Sequence, residues 1–150
     1  MFEEIVEKIK KYCLYQPRCH YEIEQKLEEF YLIDQAKEKI LIELISQGYL
    51  NEQLFVESFV RGKITYKKWG KQKIISELKR KKISDKLIEI ALKEVNFEHY
   101  YENMVSLASK YGKNTNKLND YQSRYKVFRY LAQKGYETEL INEYLNSLTK

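Results

Sequence analysis

The chain of 150 residues contains one proline, five glycines and two cysteines. So few glycines argue against an all-β chain, which would need many tight turns. Cys13, Cys19 and His20 do not make a zinc site, because five residues separate the cysteines and no second pair follows downstream. They read as small packing residues near a turn. His20 and His99 are far apart and share no metal-ligand spacing. No run approaches the ~18 apolar residues of a membrane span. The N-terminal MFEEIVEKIKK begins an amphipathic helix and lacks the apolar core of a secretory signal. A cytoplasmic, reducing location and no membrane contact are therefore expected. The segment GKQKII at 70–75 lacks the spacing and the Lys-Ser/Thr ending of a phosphate-binding loop. Acid pairs such as Glu28-Glu29 and Asp34 with Glu38 read as helix faces and caps, with nothing to mark a desolvated pocket. An enzyme is the least supported class; no catalytic residue, metal ligand or cofactor is expected.

What the chain does have is helical periodicity throughout. Phe2, Ile5, Val6, Ile9 and Cys13 form a first apolar stripe, which Pro17 ends. Ile23, Leu27 and Phe30 mark a second helix. Asp34 is placed to cap a third, expected to bury Ile40, Leu41, Leu44 and Ile45 and to close at Gly48. Asn51 caps a fourth, with Leu54, Phe55, Ser58 and Phe59 on one side. Ile64, Thr65 and Tyr66 are weak helix formers, so its continuation toward Trp69 stays open. Gly70 separates a fifth helix carrying Ile74, Ile75 and Leu78. Ser84 caps a sixth with Leu87, Ile88, Ala91, Leu92 and Val95. The seventh has Met104, Val105, Leu107 and Ala108, and a polar loop is expected from Tyr111 to Asp120. The eighth has Tyr125, Val127, Phe128 and Leu131 and stops at Gly135. The ninth has Leu140, Ile141, Leu145 and Leu148. Period-two alternation is absent.

These nine helices fall into three groups. Ile23, Leu27, Leu41 and Leu44 precede Ile74, Leu78, Leu92 and Val95 by 51 residues. The latter precede Val127, Leu131, Leu145 and Leu148 by 53. Four aliphatic positions at near-constant offset indicate a tandem repeat. The expected fold is all-α, with three-helix units at 1–50, 51–96 and 97–150 stacked into an elongated, curved protein. Such a surface suits a filament or a nucleic-acid strand better than a small molecule.

Charge is uneven. Between Arg61 and Lys82 ten cations stand against Glu77 alone, a local +9 in a chain of net +5, leaving −4 for the remainder. A solvated helix face is the ordinary reading of a charge run, but an excess of this size favours a polyanion or an acidic protein surface. Arg61, Lys63, Lys67, Lys68, Lys71, Lys73 and Arg80 are the candidate contacts, since cations neutralise phosphates. Two readings of Trp69 stand side by side: a core wedge between repeats, or a stacking platform for a base with Tyr66 as a second ring.

The residues also resemble the RecX family, bacterial regulators of the RecA recombinase. The resemblance is carried by Tyr12-Cys13-Leu14 with Arg18, Glu22-Ile23, Lys26-Leu27 and Gly48-Tyr49-Leu50-Asn51-Glu52. It continues through Phe55, Phe59-Val60-Arg61, Trp69-Gly70, Lys73-Ile74, Glu77-Leu78, Ile83 and the Ile88 to Leu92 helix. It ends on Phe128-Arg129-Tyr130-Leu131 and Lys134-Gly135-Tyr136. No single piece is diagnostic; the ordered set is. The resemblance implies three tandem three-helix units, in agreement with the repeat. It also implies a non-enzymatic modulator that binds the RecA–single-stranded DNA filament and inhibits its ATPase, strand exchange and extension; a monomer is the default expectation, since the sequence does not fix the oligomeric state. A role in recombination, DNA repair and the SOS response would follow, and Arg18 would join the basic residues as a contact. Where many members carry two acids after Gly-Tyr-Leu, this chain has Asn51-Glu52, which keeps the helix cap. The competing expectations are a stand-alone basic helical nucleic-acid-binding protein and a helical scaffold for an acidic protein.

Overall fold

A computed structural model describes residues 1–112 and 121–148 of the chain. Among the described residues there are nine α-helices and no strand. Contacts divide the chain into two compact units, one comprising Met1–Phe59 with Leu78–Ile88, the other Val60–Glu77 with Glu89–Lys150.

The first unit contains α1 (Phe2–Tyr15), α2 (His20–Leu27) and α3 (Asp34–Ser46). Ile5, Val6, Ile9 and Cys13 of α1 meet Ile23 and Leu27 of α2 and Ile40 and Leu44 of α3, with Leu50 closing the cluster. Ile9, Ile23, Leu27, Ile40 and Leu44 are fully buried, each worth about 1.5–3 kcal/mol of apolar transfer. α1 stops at Tyr15 because Gln16 precedes Pro17 and is extended (φ −164°, ψ 159°). Cys13 and Cys19 are buried free thiols, and burial pushes the Cys19 thiol up to about 11. Lys81, which the chain returns to this unit, bonds Glu22 at 3.0 Å.

Two expectations about α3 are corrected. Ile33, not Asp34, stands at the cap and makes no side-chain bond there; Asp34 lies inside the first turn, where its charge opposes the positive helix end. Ile45 is 47% exposed. The stripe runs through Ile40 and Leu44, four residues apart, and the next position turns about 100° away from it.

The caps at Asn51 and Ser84 are as expected: Leu54 N–H donates to Asn51 Oδ1 (3.1 Å) and Leu87 N–H to Ser84 Oγ (3.3 Å). They open α4 (Glu52–Gly62) and α6 (Asp85–Lys93). α4 and α6 each run from the first unit into the second, and α5 (Lys71–Arg80) runs from the second into the first.

The second unit is built on α7 (Phe97–Tyr111), α8 (Tyr121–Gln133) and α9 (Thr138–Ser147). Of the fourteen tyrosines, nine belong to it, and rings do much of its packing. Tyr100 and Tyr136 are buried 5.1 Å apart, and Tyr111 stacks on Tyr130 at 4.3 Å. Tyr125, expected on the inner face of α8, is 52% exposed; the buried stripe is Val127 and Leu131. Of the polar loop expected from Tyr111 to Asp120, Tyr111 ends α7 and Gly112 caps it, and residues 113–120 lie outside the described residues.

The aliphatic positions of the repeat are graded. Ile23, Leu27, Ile74, Leu78, Val127 and Leu131 are all at most 1% exposed, whereas Leu148 is 39% exposed. Truncating Leu44 to Ala is expected to cost ~2–5 kcal/mol in urea unfolding. Ile45→Ala, one residue on, is expected to cost under about 1 kcal/mol, and equal losses would contradict the register of α3.

Candidate nucleic-acid interface

The chain between α4 and α5 carries Lys63, Lys67, Lys68 and Trp69 of the candidate residues, and its shape is unusual. α4 passes at Gly62 into a π-turn, Lys63–Lys67, whose widened spiral lets the Lys63 carbonyl accept from both Lys68 N–H and Trp69 N–H (3.0 Å for the latter). Lys68 ends the turn in the left-handed region, at φ 54°. A residue with a Cβ is rarely held there unless its surroundings fix it. Here the Lys68 carbonyl accepts from the buried Tyr136 hydroxyl at 2.8 Å, and its Nζ reaches Ser106 Oγ at 3.5 Å. The Ile64 carbonyl accepts from the buried Asn103 side chain at 2.9 Å. Backbone groups released by the π-turn are thus satisfied from α7 and from the α8–α9 connection.

Gly70 then lies directly against Gly135. Its N–H donates to the Lys134 carbonyl at 2.7 Å, and Gln72 N–H donates to the Gly135 carbonyl at 2.9 Å. A Cβ on Gly70 would fall 2.1 Å from the Gly135 carbonyl carbon. A Cβ on Gly135, itself at φ 102°, would fall 2.5 Å from that of Lys73. Both positions require glycine for close approach. The first N–H of α5, that of Lys71, donates to the Tyr100 hydroxyl at 2.7 Å, and that hydroxyl donates to Glu137 at 2.5 Å. Burial, reinforced by the bond to Glu137, pushes the Tyr100 hydroxyl far above the usual tyrosine range, so it stays a donor at any working pH.

Within this geometry Arg61, Lys63, Lys67, Lys68, Lys71 and Lys73 all belong to the second unit. Arg61 and Lys67 are exposed; Lys63, Lys68, Lys71 and Lys73 are half-buried. Lys63 and Lys73 bring their ammonium groups to 4.7 and 4.5 Å from the Trp69 ring centroid. Lys71 lies 5.1 Å over the Tyr100 ring. Trp69 is half-buried, and its indole gathers two cations by the attraction of its π face. That arrangement suits phosphate recognition more than base stacking at Trp69. Tyr66 is the freely presented ring of the turn, 84% exposed.

The other candidates belong to the first unit. Arg18 donates from Nε to the Tyr12 carbonyl (3.1 Å), with its guanidinium 3.7 Å over the Tyr12 ring. Arg80 is exposed at the end of α5, where Lys79 pairs with Asp85 at 3.6 Å. The run of ten cations is therefore shared between two units, and part of the first unit's share is paired with acids.

Two family descriptions match this chain: the second three-helix domain of RecX over residues 51–92 and the third over residues 98–145. The chain belongs to the RecX family. The Regulatory protein RecX of Streptococcus uberis is 33% identical over 131 residues, covering 87% of this chain and 50% of that protein. The Lactobacillus johnsonii RecX is 28% identical over 150 residues, covering 91% and 55%. This chain thus spans about half the length of the curated relatives it matches. The crystal structure of RecX from Lactobacillus salivarius superposes with a TM-score of 0.84 at 26% identity, covering 98% of this chain and 96% of that one. The all-α three-helix architecture is shared with these RecX relatives, which carry the name of regulatory proteins. Among the described residues no helix is long and apolar enough to cross a membrane, and no cluster of His, Cys, Asp and Glu could hold a metal ion.

The residues that fix the basic turn—Tyr100, Asn103, Gly135, Tyr136 and Glu137—were not among the sequence candidates. Asn103 left one signal, a polar residue on the buried stripe of Tyr100, Met104 and Ala108.

Three substitutions test this packing by urea unfolding. Gly70→Ala is expected to lose ~3 kcal/mol or more, the upper part of the overpacking range. Gly62→Ala, with nothing within 4 Å of the added carbon, is expected to gain about 0.5–1 kcal/mol. Tyr100→Phe is expected to cost ~1–3 kcal/mol, because the Lys71 N–H and Glu137 lose their partner.

Proposed function

We propose that this chain regulates a RecA recombinase. It binds the RecA–single-stranded DNA filament and inhibits its ATP hydrolysis, strand exchange and extension, thereby modulating recombination and DNA repair. It acts by binding, without chemistry of its own, in the cytoplasm, and contacts single-stranded DNA directly or through the filament.

Membership in the RecX family supplies the partner. The observation that carries the reading is the π-turn and its flanks, where six cations lie between Arg61 and Lys73 on a backbone pinned by buried polar groups. A preorganised cationic turn loses little conformational entropy on meeting phosphates or an acidic protein surface. Its electrostatic attraction also speeds encounter with a polyanionic filament. The second reading, binding to nucleic acid with no recombinase, draws on the exposed ring of Tyr66 beside these cations. It calls for tight, steeply salt-dependent binding to bare DNA.

The test is ATP hydrolysis by the host recombinase on single-stranded DNA with this protein titrated in. Inhibition is expected, and the Lys67→Glu/Lys68→Glu variant is expected to need about tenfold more protein for the same effect, with unchanged helicity. Full inhibition by the folded variant would remove these lysines from the interface. No inhibition by the unaltered protein would contradict the filament reading.

A further inference from the structure

We propose that the α8–α9 face of the second unit is a further nucleic-acid site, a stacking platform for unpaired bases formed by Tyr121 and Tyr125. These two tyrosines are one helical turn apart and 80% and 52% exposed. Their rings are parallel to within 1°, with centroids 6.4 Å apart. They border a groove of about 500 Å³ whose other walls are Arg124, Phe128, Asn142 and Leu145. Two large exposed rings beside an apolar groove are an unusual expense of surface for a helix whose core needs are met by Val127 and Leu131.

Charge decides among occupants. From Tyr121 to Tyr136 the chain has no acidic residue, while Arg124, Lys126, Arg129 and Lys134 are all cationic. The Arg124 guanidinium is steadied at the groove by donating to Asn146 Oδ1 at 3.1 Å. That of Arg129 lies 5.8 Å from the Tyr125 ring centroid. The α9 acids Glu139 and Glu143 are exposed but do not line the groove. Cations interleaved with open aromatic faces fit a strand that offers phosphates and bases together. Bases stacked within a duplex cannot reach such rings, so the site selects single strands.

This site depends on no recombinase and uses none of the π-turn lysines, so its failure would leave the filament reading intact. Its test is fluorescence anisotropy of a labelled oligothymidylate with the full chain, alongside a duplex probe. Tyr121→Ala/Tyr125→Ala is expected to weaken single-strand binding about tenfold or more, with the slope against salt unchanged because no phosphate contact is removed. Tyr121→Phe/Tyr125→Phe, which keeps the rings, is expected to stay within about twofold of the unaltered protein. Duplex affinity is expected not to move in either variant. Four results would overturn the proposal: unaltered protein that does not bind the oligothymidylate, an Ala variant of native helicity with unchanged affinity, a Phe variant as weak as the Ala variant, or an equal loss on duplex.

Discussion

The backbone contact between Gly70 and Gly135 is the constraint on which the second unit's basic turn depends. Two peptide planes meet there at a distance that no side chain could share, and each supplies a partner for the other's polar groups. Two hydrogen bonds cross the contact, and they tie the start of α5 to the turn before α9. Around it stands a shell of buried tyrosine hydroxyls and one amide, which take up the carbonyls that the π-turn frees and the first N–H of α5. Without that shell the left-handed Lys68 and the unbonded Ile64 carbonyl would each carry a cost. With it the turn is held at both ends and in the middle.

The proposed function rests on what this rigidity does to charge. Six cations close together on one short stretch repel one another, and a mobile loop would spread them. Here two are drawn to one indole and one lies over a buried tyrosine ring, so their positions are set before any partner arrives. A polyanion that meets a fixed pattern of cations gains attraction with little ordering of the protein. In the function proposed above, this fixed pattern is what a helical scaffold of the RecX family would present to a polyanionic filament.

The helices were legible because their signal is local. The periodicity of Ile9, Ile23, Leu27 and Leu44, the caps at Asn51 and Ser84, and the stop at Gly48 each depend on residues within a turn or two. The repeat was legible because the same aliphatic positions recur at a near-constant offset. The basic stretch was legible as composition, but its division between two units was not, since contact partners are decided by tertiary packing. The pairing of Gly70 with Gly135 joins residues 65 positions apart, and each glycine alone reads as a helix stop. Tyr125 faces water although the pattern points it inward, because tyrosine satisfies an apolar pattern as readily as it faces water; Asp34 lies in the first turn and not at the cap, because a single residue of offset separates the two.

Amide hydrogen exchange of the full chain tests this account most directly, read at Gly70, Lys71 and Gln72. The three amides lie at the start of α5, where a helix leaves its first N–H groups without partners in its own helix, yet all three are bonded to groups of α7 and the α8–α9 connection. The account predicts protection at these amides comparable to that within α7 and α8, opening only with the unit as a whole. Exchange at the rate of an unstructured peptide, while α7 and α8 remain protected, would contradict it.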